Sequence, residues 1–317
     1  MDNLNSELLI GSVAIIAALW LDRLLGEPSK YHPLIGFGQL ANTLEKVLRG
    51  CKSLNEKSQG VLAWLLAVVP LTFATFVIVE VALQVSPLLA FLINCIVLYL
   101  SIGGRSLIEH ADNIYRPLSQ GDLDNARVAV SMIVSRNTET MNEKEITSSA
   151  IESVLENGND AVFAPLLWFV LLGAPGAVLF RLANTLDAMW GYKNQRYLKF
   201  GYMSAKADDF LGWFPARLTA IVYAFQGRFM DGLTCWKNQA HECSSPNGGV
   251  VMTTGAGALG VRIGGPTYYD GVLKDKKPMG MGEPANWQVI PKANALVSKG
   301  SFGLSYIWLI TLLGWSF

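Results

Sequence analysis

Long apolar runs separated by charged loops set the pattern of this chain. The segment from about Leu4 to Leu21 contains an apolar run from Leu8 to Leu21, broken only by Gly11 and Ser12. A helix needs roughly 20 residues to cross about 30 Å of hydrocarbon, so this segment is the first predicted span. A polar stretch from Asp22 to Gly60 follows. Val61 to Val79 and Val81 to Leu100 are the second and third spans, joined at Glu80 as a helical hairpin. Ser301 to Phe317 is a last apolar helix and anchor. The 22–60 loop carries Arg23, Lys30, Lys46, Arg49, Lys52 and Lys57, whereas residues 1–21 carry no Lys or Arg. The positive-inside rule therefore places the loop in the cytoplasm and the N-terminus outside. The missing basic n-region also speaks against a cleaved leader, so the first run is read as a retained anchor.

The middle of the chain is more polar. Asp122 to Val134 has the mixed spacing of an amphipathic helix. Thr147 is the expected cap of a helix from Ser148 to about Asn157, and Asn157-Gly158-Asn159-Asp160 is expected to end it as a turn. The apolar run Ala161 to Leu172 spans about 18 Å, too short to cross. Gly173-Ala174-Pro175-Gly176 then breaks the helix, and Ala177 to Met189 is a second half-helix. Broken helices are tolerated at membrane depth where they pack on protein or line a cavity. The expectation is a re-entrant dip that leaves the polar clusters on either side of it on one membrane face. The alternative is one continuous kinked span, with Glu152 and Asp187 on opposite faces. Phe210 to Gln226 is apolar but holds Pro215 and Arg217. A mid-bilayer charge costs at least about 2.5 kcal/mol, so this segment is read as interfacial, re-entrant or lining a wet cavity. Val250 to Pro266 is rich in glycine and alanine, and Gly271 to Gly300 is read as a loop. The fold class is thus an all-α integral membrane protein, with about four spanning helices plus re-entrant or interfacial broken helices. It is read as a single membrane domain over residues 1–317, with cytoplasmic loops at 22–60, 101–160, 184–209 and 227–300.

Composition agrees. The chain is 51% hydrophobic and 16% charged, against about 25% charged in soluble domains, and its mean hydropathy is +0.32. With 25 basic and 25 acidic residues it lacks the basic stripe of a nucleic-acid binder. Cys51, Cys95, Cys235 and Cys243 form no C-x-x-C pair, so neither a zinc site nor a redox motif is indicated, and reduced thiols are expected.

Several residues could carry chemistry, each with a plainer reading beside it. Glu152, Glu156 and Asp160 recur at i, i+4 and i+8, where like charges repel on a helix. They are either a solvated acidic face or a magnesium site with acid/base capacity, since Mg²⁺ takes one or two carboxylates plus substrate phosphates. Asn184, Asp187, Lys193, Lys206, Asp208 and Asp209 could hold a metal-bound nucleotide or simply form a polar surface. His32 lies in a rigid proline-flanked loop and His241 precedes Ser244-Ser245-Pro246-Asn247-Gly248; each is either structural or a proton carrier, and His110 looks like surface. Arg105, Arg136 and Arg217 suit phosphates or carboxylates, or pair with helix-end charges. Gly255-Ala256-Gly257-Ala258-Leu259-Gly260 matches a dinucleotide fingerprint but lacks a surrounding βαβ unit; close helix packing by small residues is the preferred reading. No P-loop motif occurs.

Taken together, these stretches resemble the membrane-bound adenosylcobinamide-phosphate synthases of cobalamin biosynthesis over nearly the whole chain. Asp22, Gly26-Glu27-Pro28 and His32-Pro33 are similar to that family's opening motif, and Gly104-Arg105-Ser106-Leu107 and the segment from Ser131 through Arg136 to Thr138 to its next two. Glu152, Glu156-Asn157, Asp160 and Ala164-Pro165 resemble its central acidic motif. The run Asn184-Thr185-Leu186-Asp187 with Gly191-Tyr192-Lys193 resembles the one after it, followed by matches at Arg196-Tyr197, Ser204 to Asp209 and Pro215 to Leu218. His241, Ser245-Pro246-Asn247, Ala256 to Val261 and Gly264-Gly265-Pro266 are similar to the closing signature. Glu27 and Asn137 stand where aspartate is usual, Ala161 where glycine is, and Lys206 where arginine is, which costs bidentate geometry.

The resemblance implies ATP- and Mg²⁺-dependent joining of a carboxylate of adenosylcobyric acid to aminopropanol phosphate through an amide. It implies catalytic work for Glu152, Glu156, Asp187, His241 and His32. Substrate and phosphate binding would fall to Arg105, Arg136, Asn157, Asn184, Lys193, Lys206, Arg217, Ser245 and Asn247. Metal binding would fall to Glu156, Asp160, Asp187, Asp208 and Asp209. It further implies a multi-pass protein of the cytoplasmic (inner) membrane with its active site facing the cytoplasm, in contact with the lipid bilayer, and either homo-oligomeric or associated with other cobalamin-assembly enzymes. Two other readings stay open: a transporter of a corrinoid or related solute, which broken helices also fit, and a non-catalytic membrane scaffold.

Overall fold

The computed structural model describes residues 2–28, 32–134, 137–265, 267–269, 272–274 and 277–315. Helices dominate, and the strands among the described residues are short and confined to 261–284. Four helical stretches are long and apolar enough to cross a membrane: Glu56–Val85, Pro87–Ser119, Glu143–Trp190 and Trp287–Gly314. The chain divides into two compact units, one of Met1–Gly103, Ala164–Gly212 and Ser305–Phe317, the other of Gly104–Phe163 and Trp213–Leu304.

The first unit contains α1 (Asp2–Leu25), α2 (Pro33–Arg49), α3 (Glu56–Val85), α4 (Pro87–Ser101), α8 (Ala164–Trp190) and α9 (Tyr202–Leu211). α1, the expected first span, is 24 residues long, about 36 Å at 1.5 Å per residue. The 22–60 stretch is not a plain loop. Phe37, Ala41, Glu45 and Leu48 recur at helical spacing and bury one face of α2. The turn expected at Glu80 is also displaced. α3 runs through Glu80 to Val85, since glutamate is a good helix former and one charge breaks nothing. The chain reverses at Ser86, which is extended and accepts a hydrogen bond from the Leu89 N–H at 3.1 Å, while Pro87 occupies a first-turn position that needs no N–H donor. Phe73, Ile78 and Val81 on α3 stay exposed, as lipid-facing residues of a spanning helix would.

α8 is broken where expected. Gly173 takes φ 65°, ψ −158°, a conformation close to glycine-only. Beyond it, Gly176 lies so close to the Trp168 carbonyl that no Cβ would fit. In an unbroken helix those positions would be about 12 Å apart. The chain therefore bends sharply at Gly173 instead of running on as a straight helix. The freed Ala174 N–H donates to Asn94 Oδ1 of α4 at 3.3 Å, which gives the second half-helix an acceptor that lipid cannot.

The second unit contains α5 (Gly104–Ser119), α6 (Leu123–Ser131), α7 (Glu143–Gly158), α10 (Trp213–Phe225), α11 (Phe229–Gln239) and α12 (Gly248–Leu259). α13 (Ile290–Trp315) runs from this unit's residues into the first unit's. The amphipathic α6 is capped by Asp122. α7 starts earlier than expected. Asn142, not Thr147, caps it, in a reciprocal capping box with Glu145 at 3.1 and 2.8 Å, and Thr147 is fully buried mid-helix. Nor do residues 157–160 form a turn: the chain continues through a π-helical turn, Asn159–Phe163. α12 lies at the centre, with Gly248 to Ala258 buried throughout against α7, α10 and α11. Gly257 meets the Asp231 carbonyl and Cys235 without room for a side chain, so the glycine pattern serves close helix packing.

Gly260 ends α12 in the left-handed conformation. β1 (Val261–Gly264) then pairs antiparallel with β4 (Pro278–Gly280), Arg262 opposite Gly280, and parallel with β5 (Glu283–Pro284). β2 (Thr267–Tyr269) pairs with β3 (Val272–Lys274). The segment read as a loop from Gly271 to Gly300 is thus strand and helix, and α13 begins at Ile290 rather than Ser301 because Asn286 and a short 3-10 turn lead straight into it. All four cysteines are free.

Candidate active-site clusters

The candidate residues fall into a cluster in each unit. In the second unit they gather around the start of α12. Glu152 is buried on α7 and accepts from Ser148 Oγ at 2.9 Å. One turn on, the Glu156 carboxylate lies against Gly248, the first residue of α12, where a Cβ would collide with it. A helix N-terminus presents unpaired N–H groups and partial positive charge, which offsets the repulsion expected along 152, 156 and 160. Ser245 Oγ accepts from the Gly248 N–H at 2.9 Å. Arg217 of α10 donates to Asn247 Oδ1 at 2.7 Å, to the Pro246 carbonyl at 3.2 Å and to the Trp213 carbonyl at 2.9 Å, with its guanidinium over the Trp213 ring at 4.5 Å. Arg217 thus ties the 245–247 loop to α10. Asp160, inside the π turn, accepts from Asn159 Nδ2 at 2.7 Å, while Asn159 Oδ1 accepts from Thr219 Oγ1 at 2.9 Å. The π turn is what aims Asn159 at α10, because the extra residue rotates the helix face.

The other candidates of this unit make contacts of their own. Asn157 is exposed and donates to Ser153. Arg105 pairs with Glu109 one turn along at 2.6 Å. His241 is exposed beside Glu242, whose carboxyl is held below the usual range by the Lys277 ammonium at 2.8 Å. Arg136 lies outside the described residues.

In the first unit the cluster sits at the end of α8. Asp187 curls over the helix end, its carboxylate filling the space a Cβ on Gly191 would need. Asp209 of α9 is near enough for the two charges to repel. Asn184 Nδ2 donates to Asp208 Oδ1 at 3.1 Å, and Lys206 pairs with Asp209 at 3.5 Å. Lys193 is exposed on the loop between α8 and α9. His32 caps α2: its Nδ1 accepts from the Leu34 N–H at 3.2 Å. Burial pushes its pKa below the ordinary value; nearby Glu27 raises it and Arg181 lowers it.

One buried acid in this unit is absent from the expected set. Glu45, 3% exposed, takes Arg49 Nε at 2.9 Å, Arg196 Nε and Nη2 at 3.1 and 3.0 Å, and the Tyr197 hydroxyl at 3.3 Å. Arg49 also donates to the Arg196 carbonyl at 2.7 Å and lies 4.4 Å from the Phe200 ring. This network pins the loop bearing Lys193 onto α2. The signal in the sequence was an acid at a core-facing position of an amphipathic helix, a place where charge is rare unless paired.

Among the described residues, no group of three or more His, Cys, Asp or Glu side chains is placed to hold a metal ion. Magnesium asks for less, one or two carboxylates completed by water and phosphate, and the Asp187–Asp209 pair fits that smaller demand.

Residues 15–297 match the family model described as CobD/Cbib protein. The chain is 48% identical over 283 residues to a cobalamin biosynthesis protein CobD of Chromobacterium violaceum, covering 89% of this chain and 91% of that protein. It is 47% identical to the CobD of Stutzerimonas stutzeri, over 96% of this chain and 98% of the relative. With the CobD of Clostridium perfringens it shares 37% over 84% and 87%. No solved structure matches the chain.

Proposed function

The chain belongs to the CobD/Cbib family of cobalamin biosynthesis, and from that premise we propose that it is an ATP-dependent amide synthase joining adenosylcobyric acid to aminopropanol phosphate to give adenosylcobinamide phosphate. The observation that supports this reading best is the meeting of Glu156, Arg217, Ser245 and Asn247 at the start of α12. It puts a carboxylate, a guanidinium fork and a helix N-terminus together. Such a set can deprotonate an amine and hold a phosphate.

In the proposed chemistry, phosphoryl transfer from ATP activates the carboxylate of the corrinoid. The amine nitrogen then forms the amide bond as phosphate leaves, and a carboxylate of the protein takes the amine proton. Glu156 is the candidate base, with Glu152 behind it. Arg217 and Asn247 are candidates for phosphate binding, and Lys193, Lys206, Arg105 and Arg136 for neutralising developing charge. His241 and His32 are the candidate proton carriers, with His32 restricted to Nε2 by its capping role. Asp187, Asp208 and Asp209 in the first unit, and separately Glu156 and Asp160 in the second, are the candidates to hold Mg²⁺, which would supply charge neutralisation at phosphates. The reaction is assigned to the cytoplasmic face of the inner membrane.

The test is direct. Detergent-purified protein with both substrates, ATP and Mg²⁺ should release the amide product and one ADP per turnover, read by mass spectrometry. Glu156→Ala and Asp187→Ala should each lower the rate at least about 100-fold while inserting and eluting as wild type. Normal turnover in either would remove that residue from the mechanism. Solute uptake into proteoliposomes without amide formation would favour the transporter reading, to which the reversal at Gly173 is also suited.

A further inference from the structure

One face of α10 is buried through Ala216, Thr219, Ala220 and Tyr223. The other is exposed and apolar: Trp213, Phe214 and Ile221 are exposed, and Phe225 is 71% exposed. This face continues onto α11, where Met230 is 69% exposed and the Phe229 ring lies 4.7 Å from that of Phe225. Arg217, the one charged residue of α10, does not interrupt it. Its guanidinium donates to Asn247 Oδ1 and the Pro246 carbonyl, so the charge is drawn back to the 245–247 loop. An exposed apolar patch of this kind marks an interaction surface.

Two contacts, both inside the second unit, fix the height of this face against α13. Gln226 Nε2 donates to the Leu296 carbonyl at 2.9 Å. A Cβ on Gly300 would collide with Gln226 Nε2 and with Val222 Cγ1. Lys299 is exposed and is the last charged residue of the chain, on a helix long and apolar enough to cross a membrane. A lysine at such a point sends its ammonium to the headgroups while the helix enters hydrocarbon. The end of α10 therefore sits where α13 passes from one to the other. α10 does not cross: its 13 residues span only about 20 Å, against about 30 Å of hydrocarbon.

We propose that the exposed face of α10, with the corner leading into α11, docks on the bilayer surface. It lies in the boundary between phospholipid headgroups and acyl chains. Phe214, Ile221, Phe225 and Met230 enter the upper acyl region, as the apolar face of an interfacial helix does, and Trp213 takes the belt position that indole favours. The occupant is lipid because of where the face sits. Val222 and Gln226 hold it against a helix at the level where the bilayer begins, so a protein partner would first have to displace lipid. Arg217 then ties the 245–247 loop to a membrane-surface helix. The proposal stands on this geometry and does not depend on the amide-synthase reading.

The experiment uses full-length protein reconstituted in vesicles of phosphatidylethanolamine and phosphatidylglycerol. Phe214 and Phe225 are replaced, one at a time, by the photoreactive p-benzoylphenylalanine, a larger ring at positions with open space around them. After irradiation, the intact mass of each variant should rise by one phospholipid. Met230, also exposed, takes the same replacement if either variant fails to reconstitute. A label that stays unreacted at either position means a solvated face and overturns the proposal. Adducts mainly to a second copy of the chain, which double the mass, overturn it equally.

Discussion

His32 caps α2 through one ring nitrogen and buries the other, and its charge state follows from that. Burial holds its pKa below 6.5, so the unfolded chain takes up this proton more readily than the folded one. The neutral ring's contribution is therefore fully present above the unfolded value and is lost as pH falls from about 6.5 through the folded pKa. Thermal stability in detergent should decline over that window. His32→Asn keeps a capping acceptor but cannot titrate, and should flatten this part of the profile. A wild-type profile with no slope there would show that the ring is not held neutral.

Gly248 offers a sharper separation of structure from activity. A Cβ there would meet the end of the Glu156 side chain rather than backbone, and a flexible carboxylate can move aside. Gly248→Ala should change stability by less than about 1 kcal/mol, yet displace the carboxylate proposed to act as base. A shift near 1 Å can cost on the order of 100-fold in rate. Equal loss in melting temperature and rate would mean instead that the glycine serves packing alone.

Among elements, the broken α8 places the most demands on its neighbours. Its reversal rests on Gly173 and on the Asn94 side chain that receives the Ala174 N–H. Gly173→Ala should cost about 1–3 kcal/mol, the strain of a glycine-only conformation, and Asn94→Leu should add an unsatisfied N–H; both are read as falls in melting temperature. The loop after α8 is held differently, by charge. Glu45→Ala removes an acid that takes two arginines and a tyrosine, and should cost about 2 kcal/mol and free the Lys193 loop to proteolysis. Unaltered cleavage at that loop would show that Trp190 and Phe200, packed edge-to-face at 5.1 Å, suffice to hold it.

For the molecule as a whole, the sharp bend at Gly173 suits a re-entrant dip, and that topological claim is testable inside the first unit. Lys52→Cys and Asn194→Cys flank loops tied together through Glu45, Arg49 and Arg196. Both should react with an impermeant maleimide from the same side of the membrane. Leu172→Cys, at the exposed tip of the dip, should resist the reagent from either side. Labelling of positions 52 and 194 from opposite faces would overturn the Glu45 network, and ready labelling of position 172 would overturn the dip.

Membrane character, the helix break at 173–176 and the packing use of the 255–260 glycines were all legible in the amino-acid order, because each follows from local chemistry: run length, a helix breaker, small residues at helical spacing. Boundaries were less legible. The Ser86–Pro87 reversal, the Asn142 cap and the early start of α13 depend on which of several competent polar residues finds its partner. The π turn at 159–163 was invisible, since Asn157-Gly158-Asn159-Asp160 reads as a turn unless Thr219 is there to donate to Asn159. The partners of Glu45, Glu156 and Asp187 were likewise beyond sequence reasoning. Each meets residues far away along the chain, and only the packing of helices on one another brings a glycine, a guanidinium or a second carboxylate within reach of an acid.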